Sequence, residues 1–329
     1  MLVALAHRIG GRATVANARR DRASAEQSRG GVRFAGLEHG WAALETHLVP
    51  WVFLFPALVI YAVFLVAPMA ISFWYSLTNW SGAGPQHFIG LRNYGAVFTN
   101  ATTLNALKNT GIWAAVMVTV PALIGLGLAN FLRGKGWWKG PAQALVYLPA
   151  VLPMIGVALI WGWIYNPQFG FLNSLLSKIG LGSLNVDWLG STTSALPALL
   201  VAGIWVSIGF PMVLYLAGIQ TIPIEHYEAA RVDGGTRWQV FRHVTLPGLR
   251  QSHVIVVALE IIASLQVFAI VFALTAGGPG NATQVLGTWM YYNIFSFRHV
   301  GYGSAVGWIL AAMGLVVTIP YVLWMTRSE

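Results

Sequence analysis

Between Ile222 and Pro247 the chain carries six charged side chains, Glu225, Glu228, Arg231, Asp233, Arg237 and Arg242, between two long apolar runs. A seventh charge, Glu260, stands alone inside the following apolar run. A carboxylate in hydrocarbon costs roughly 2.5 kcal/mol or more unless a partner or water meets it, so Glu260 reads as a pathway or bundle-forming residue. Neither group resembles a catalytic centre. The single Gly-Lys pair, Gly134-Lys135, is followed by Gly136 where a phosphate-binding loop needs Ser or Thr. The eight histidines, at 7, 39, 47, 87, 226, 243, 253 and 299, show no metal-ligand spacing, and the absence of cysteine excludes disulfides, thiolate metal sites and cysteine nucleophiles.

The elements that must hold these charges are legible locally. Pro223 suits the first turn of a helix, Glu225 and Glu228 lie near the positive end of its dipole, and Gly234-Gly235 can stop it with positive φ. Thr236 and Gln239 form a capping-box pattern that opens a second short helix through Phe241 to His243. Two short helices joined by a turn are therefore predicted between two apolar runs.

Those runs define the rest. Of 329 residues 57% are hydrophobic and 9% charged, far from the roughly 25% charged usage of soluble domains. Six apolar segments approach the ~20 residues needed to cross ~30 Å of hydrocarbon: 51–74, 109–132, 141–165, 196–219, 254–274 and 304–325. An all-α integral membrane protein with six spanning helices follows, with Pro68, Pro121, Pro149, Pro153 and Pro211 bending rather than breaking them. Residues 1–47, rich in Arg, Ala, Gly and Ser, read as a mostly disordered extension with a surface helix near Phe34 to His47.

Lysine and arginine placement sets the orientation. With both termini inside, cytosolic segments hold 15 of these residues and outer segments only Arg92, Lys108, Lys178 and Arg298. The net charge of +9 is thus a matter of membrane orientation, not of a nucleic-acid partner.

Glu228-Ala229-Ala230, three residues, Gly234, nine residues, then Val244-Thr245-Leu246-Pro247 resembles the EAA loop of permease subunits of binding-protein-dependent ABC importers, departing in Val244 and Gly235. Gly277-Gly278-Pro279 with Thr283 resembles the family's outer turn, and 90–94 and 106–110 resemble the segment after the first span. The resemblance runs from about residue 51 to the C-terminus and is nearest to the maltose and glycerol-3-phosphate type of carbohydrate permease. It implies a six-helix domain over 48–329 with a coupling loop at 220–250, in a bacterial or archaeal inner membrane. It also implies a second homologous permease, an ATPase dimer that binds ATP and Mg, and a solute-binding protein received by the outer loops. Glu228, Ala229, Ala230 and Gly234, supported by Arg231 and Asp233, would couple to the ATPase.

For the solute pathway the resemblance implies Ser207, Phe210, Glu260 and Ser264, on the fourth and fifth spans. Aromatic faces and hydroxyls, including Trp205 and Tyr215 of the fourth span, suit a sugar's C–H face and polar rim. Ser264 shares a face with Glu260, whereas Gln266 falls off it by helical geometry. Glycerol 3-phosphate or another polar solute is the alternative, although the acidity of Glu260 favours a neutral sugar. An ion-coupled secondary transporter centred on Glu260 predicts a second intramembrane charge or an inverted repeat, and the sequence has neither.

Overall fold

The computed structural model describes residues 49–134 and 136–326. The 1–47 extension, with the surface helix expected near Phe34 to His47, Lys135 and Arg327 lie outside the described residues. By internal contacts the chain divides at Ile71/Ser72, within the first span. The described part of the first unit is helical, and its helix runs on as α1 (Trp51–Ser76) with one π turn at Ala62–Val66. Pro56 lies inside it.

The second unit is a helical bundle, and no strand occurs among the described residues; Thr78 and Phe88 form an isolated bridge. After the short α2 (Arg92–Val97) comes α3 (Ala101–Leu132), capped by Asn100, whose side chain accepts the Thr103 N–H at 3.0 Å. It begins eight residues before its apolar run, because polar Asn105 and Asn109 find partners in the loop across from them.

The third apolar segment is not one rod. It is α4 (Lys139–Val151) and α5 (Met154–Ile164), bent by 102° at Leu152-Pro153. Proline biases its preceding residue to extended backbone, and Leu152 has ψ 140°, so the helix must stop there. A short helix α6 (Phe171–Lys178) precedes α7 (Ala195–Thr221), which is interrupted at Ile208. Pro211 cannot donate to the Ser207 carbonyl, and the interruption falls in that turn.

The two short helices of the charged loop are α8 (Ile224–Val232) and α9 (Arg237–Gly248), the latter with a π turn at Phe241–Thr245. Helix α9 therefore runs past His243 and takes in Pro247. It meets α10 (Arg250–Leu265) at 68°. The fifth segment then breaks over Gln266–Phe268 before α11 (Ala269–Leu274), so it is two helices rather than a continuous span to Leu274. Helix α12 (Leu286–Tyr291), which has no counterpart among the six apolar segments, leads through a third π segment to α13 (Val300–Thr326).

Helix α3 is the spine of this unit, packing along α7 and α10. Two glycines set its closeness to α7. A Cβ on Gly125 would lie 2.8 Å from the Met212 backbone nitrogen, and one on Gly203 would lie 2.7 Å from Met117 Cε. Small residues let membrane helices approach until dispersion contacts are dense. One apolar cluster, around Trp113, Leu199 and Val271, and another, around Leu126, Met212 and Leu249, fill the space on either side of the α7 interruption.

Candidate functional site

The break between α10 and α11 opens a cavity of about 220 Å³. Its walls are Trp113 and Met117 of α3, Met154 of α5, Gly203 and Ser207 of α7, Glu260, Ala263 and Ser264 of α10, and the residues from Gln266 to Ile270. Glu260 is 6% exposed and Ser264 2% exposed, and both line it with Ser207. The Ser264 hydroxyl donates to the Ile261 carbonyl at 2.9 Å, which leaves its oxygen lone pairs to accept from a guest. Apolar surface from Trp113, Val267 and Phe268 faces the carboxylate and hydroxyls, a pairing suited to a polar guest with C–H faces.

Not every expected residue lies here. Phe210 is outside the lining and 39% exposed. Trp205 packs edge-on against Trp161, with centroids 5.8 Å apart. Tyr215 is fully buried beside α10. Gln266, expected off the Glu260 face, does line the cavity. The helical count ends at Leu265, and Gln266 leaves the helix at φ −86°, ψ 15°.

At one end of α3 sits the charged loop. Helix α8 closes with a Schellman motif: Gly235 N–H donates to the Ala230 carbonyl at 2.9 Å and Gly234 N–H to the Arg231 carbonyl at 3.0 Å, with Gly234 at φ +76°. A Cβ on Gly235 would lie 2.7 Å from the Ala230 oxygen, so glycine at this departure from the usual motif lets the turn close tightly. The capping box is present, with Gln239 N–H donating to Thr236 Oγ1 at 3.3 Å and Thr236 N–H to Gln239 Oε1 at 2.8 Å. Glu228, Ala229, Arg231, Asp233 and Gly234 are exposed, and Ala230 is half-buried. The inner side of α8 is anchored by Tyr227, which is buried under the Arg133 guanidinium, 5.0 Å from its ring centroid. Arg133 Nη1 also donates to Thr245 Oγ1 at 3.3 Å. Arg133 caps the C-terminal end of α3, so the loop is fastened to that helix.

At the other end, α3 holds the glycine turn. Asn109 Nδ2 donates to the carbonyls of Ala282 at 2.8 Å and Gln284 at 2.9 Å, and Asn105 Nδ2 to that of Asn281 at 2.7 Å. Thr283 Oγ1 donates to the Gly278 carbonyl at 2.7 Å. The sequence carries no signal for the Asn105 and Asn109 contacts, which join residues more than 170 positions apart.

Residues 122–329 match the family described as "Binding-protein-dependent transport system inner membrane component". The chain belongs to this family. The permease is 34% identical to a probable ABC transporter permease of Pyrococcus horikoshii, over 84% of this chain and 95% of that one. It is 33% identical to the trehalose/maltose transport system permease of Thermococcus litoralis, over 82% of this chain and 91% of the relative. In fold it resembles a chain of a bacterial ABC transporter involved in import of the acidic polysaccharide alginate, with TM-score 0.77 at 24% identity, over 88% of this chain and 99% of that one.

Proposed function

We propose that this permease is the membrane subunit of an ATP-driven importer and carries a carbohydrate presented by a solute-binding protein. The observation that carries the reading is the reach of α3: it is tied to the Glu228 loop through Arg133 and Tyr227, lines the Glu260 cavity with Trp113 and Met117, and holds the outer turn with Asn105 and Asn109. A displacement at the loop therefore has a continuous packed route to the cavity.

In this reading the exposed face of α8, with Glu228 and Ala229, seats in a groove of an ATPase dimer. That dimer binds ATP and Mg, and its closure rocks the helices against a second, homologous permease. Both termini and the α8–α9 loop are cytosolic, a placement supported by the lysine and arginine distribution. Glu260, Ser207, Ser264 and Gln266 meet the solute's hydroxyls. Relatives named for diacetylchitobiose, sulfoquinovosyl glycerol and trehalose/maltose support the sugar class.

The test is co-purification of the tagged chain from its native membrane, followed by identification of what comes with it. An ATPase, a second permease and a binding protein are expected. A chain that comes alone and moves solute in liposomes without ATP overturns the reading.

A further inference from the structure

Helix α6 is amphipathic the wrong way round for a loop in water. Its inner side is built around a polar residue: Asn173, flanked by half-buried Leu172 and Leu176, is buried and donates from Nδ2 to the Val186 carbonyl at 3.1 Å while accepting from Trp188 Nε1 at 2.8 Å. Ser177 Oγ accepts from Asn185 Nδ2 at 2.7 Å on the same side. Its outer side is apolar, with Phe171 65% exposed, Leu175 40% and Ile179 59%, at four-residue spacing. Leu181, Leu184 and Val186 of the return segment are exposed as well. A helix packed by a hydrophobic core would show the reverse pattern.

The chain's path fixes where this apolar side lies. Only Tyr165 to Gly170 separate α5 from α6, and they fold into a tight turn in which Gly170 N–H donates to the Asn166 carbonyl at 2.9 Å and Asn166 Oδ1 accepts from the N–H groups of Gln168 and Phe169. A Cβ on Gly170 would sit 2.2 Å from the Asn166 oxygen, so the turn in this tight form requires glycine there. Helix α6 is thus held close to the end of α5, the second half of the bent third apolar segment, whose last turn carries Trp163, a 70% exposed indole of the kind found at headgroup depth. Between Asn166 and Val186 the only charged residue is Lys178, in the last turn of α6; Asp187 follows and accepts the Gly190 N–H at 2.8 Å. A cation beside an apolar face suits phospholipid.

We propose that α6 lies in the headgroup–acyl boundary of the leaflet opposite the α8–α9 loop, with Phe171, Leu175 and Ile179 immersed in lipid. The connection between α5 and α7 is then an interfacial float, and only the other outer segments remain to receive a binding protein. Because the chain has no cysteine, a nitroxide can be placed at one site of it at a time. The substitutions Phe171→Cys, Leu175→Cys and Ile179→Cys, with Thr192→Cys as the control in the exposed loop before α7, would be labelled in the permease with its co-purifying subunits in phospholipid nanodiscs. Collision rates with oxygen and with a water-soluble nickel chelate are then measured. Oxygen collisions exceeding nickel collisions at all three sites, against the reverse at the control, is the expected result. Nickel collisions as frequent as at the control would place α6 in water and overturn the proposal. Low rates with both reagents would mean that protein covers the face and would overturn it equally. The readout needs neither ATP nor solute, so its failure is distinguishable from failure of the importer reading.

Discussion

The Tyr215 hydroxyl lies 2.7 Å from His253 Nδ1, and the two rings stack with centroids 6.1 Å apart. This contact joins α7 to α10 between the Glu260 cavity and the α8–α9 loop, and it gives the aromatic residue a packing role instead of a place against the solute. Tyr215→Phe keeps the ring and deletes the hydrogen bond, and is expected to cost about 1 kcal/mol. A lower melting temperature of the purified permease with unchanged solute preference is the outcome; an altered preference would return Tyr215 to the pathway.

Glu228→Ala leaves α8 intact, because the side chain is exposed and alanine is the best helix former. Uptake driven by ATP should fall by roughly fivefold to a hundredfold, the range of a typical coupling free energy. Hydrolysis and uptake measured together in proteoliposomes check it. Unaltered transport with full ATPase attachment would remove Glu228 from the coupling role.

In the cavity, Glu260→Gln preserves shape while removing the charged acceptor. A hydrogen bond to a charged group contributes about 1.5–3 kcal/mol, so the solute concentration for half-maximal uptake should rise roughly tenfold to a hundredfold. Concentration-dependent uptake of labelled sugar reads this directly. An unchanged value with an unstable protein would make Glu260 a bundle-forming residue only.

Gly277→Ala tests the outer turn. Gly277 has φ +87°, and a Cβ there would lie 1.5 Å from Gln284 Oε1, whose side chain is itself buried. The cost should exceed the ~1 kcal/mol of an ordinary alanine at positive φ. Gly280→Ala, at φ +55° with nothing nearby, should be milder. Comparing the yields of folded protein for the two variants decides the matter; equal yields would mean that the Gln284 carboxamide moves aside.

What could be read from the residues was whatever depends on neighbours in the chain. The capping box at Thr236 and the helix stop at Gly234 are set within six residues, and both are found as expected. The apolar runs located the spans because hydrocarbon thickness fixes their length. The break over Gln266–Phe268 carries no glycine or proline to announce it, and without it Gln266 is counted onto the wrong face. The bend at Leu152-Pro153 had its proline, yet proline alone does not separate a kink from a right-angled turn. Asn105 and Asn109 have no neighbour in the chain that announces their partners, which lie in the glycine turn more than 170 residues on.

Helix α3 has 32 residues, which at 1.5 Å each makes it about 48 Å long, well beyond the ~30 Å of hydrocarbon. Of its two close contacts with α7, Met117 against Gly203 falls at mid-length and Gly125 against Met212 about three-quarters of the way along. A rod held at its middle and gripped at both ends is a lever with a fulcrum. A tilt of about 5° about Met117 would carry the Arg133 end by roughly 2 Å and the nearer Asn105 end by roughly 1.5 Å in the opposite sense, by simple proportion along the rise of the helix. Exclusion of solute from one side while the other opens would then need no separate latch, since a seesaw cannot have both ends down.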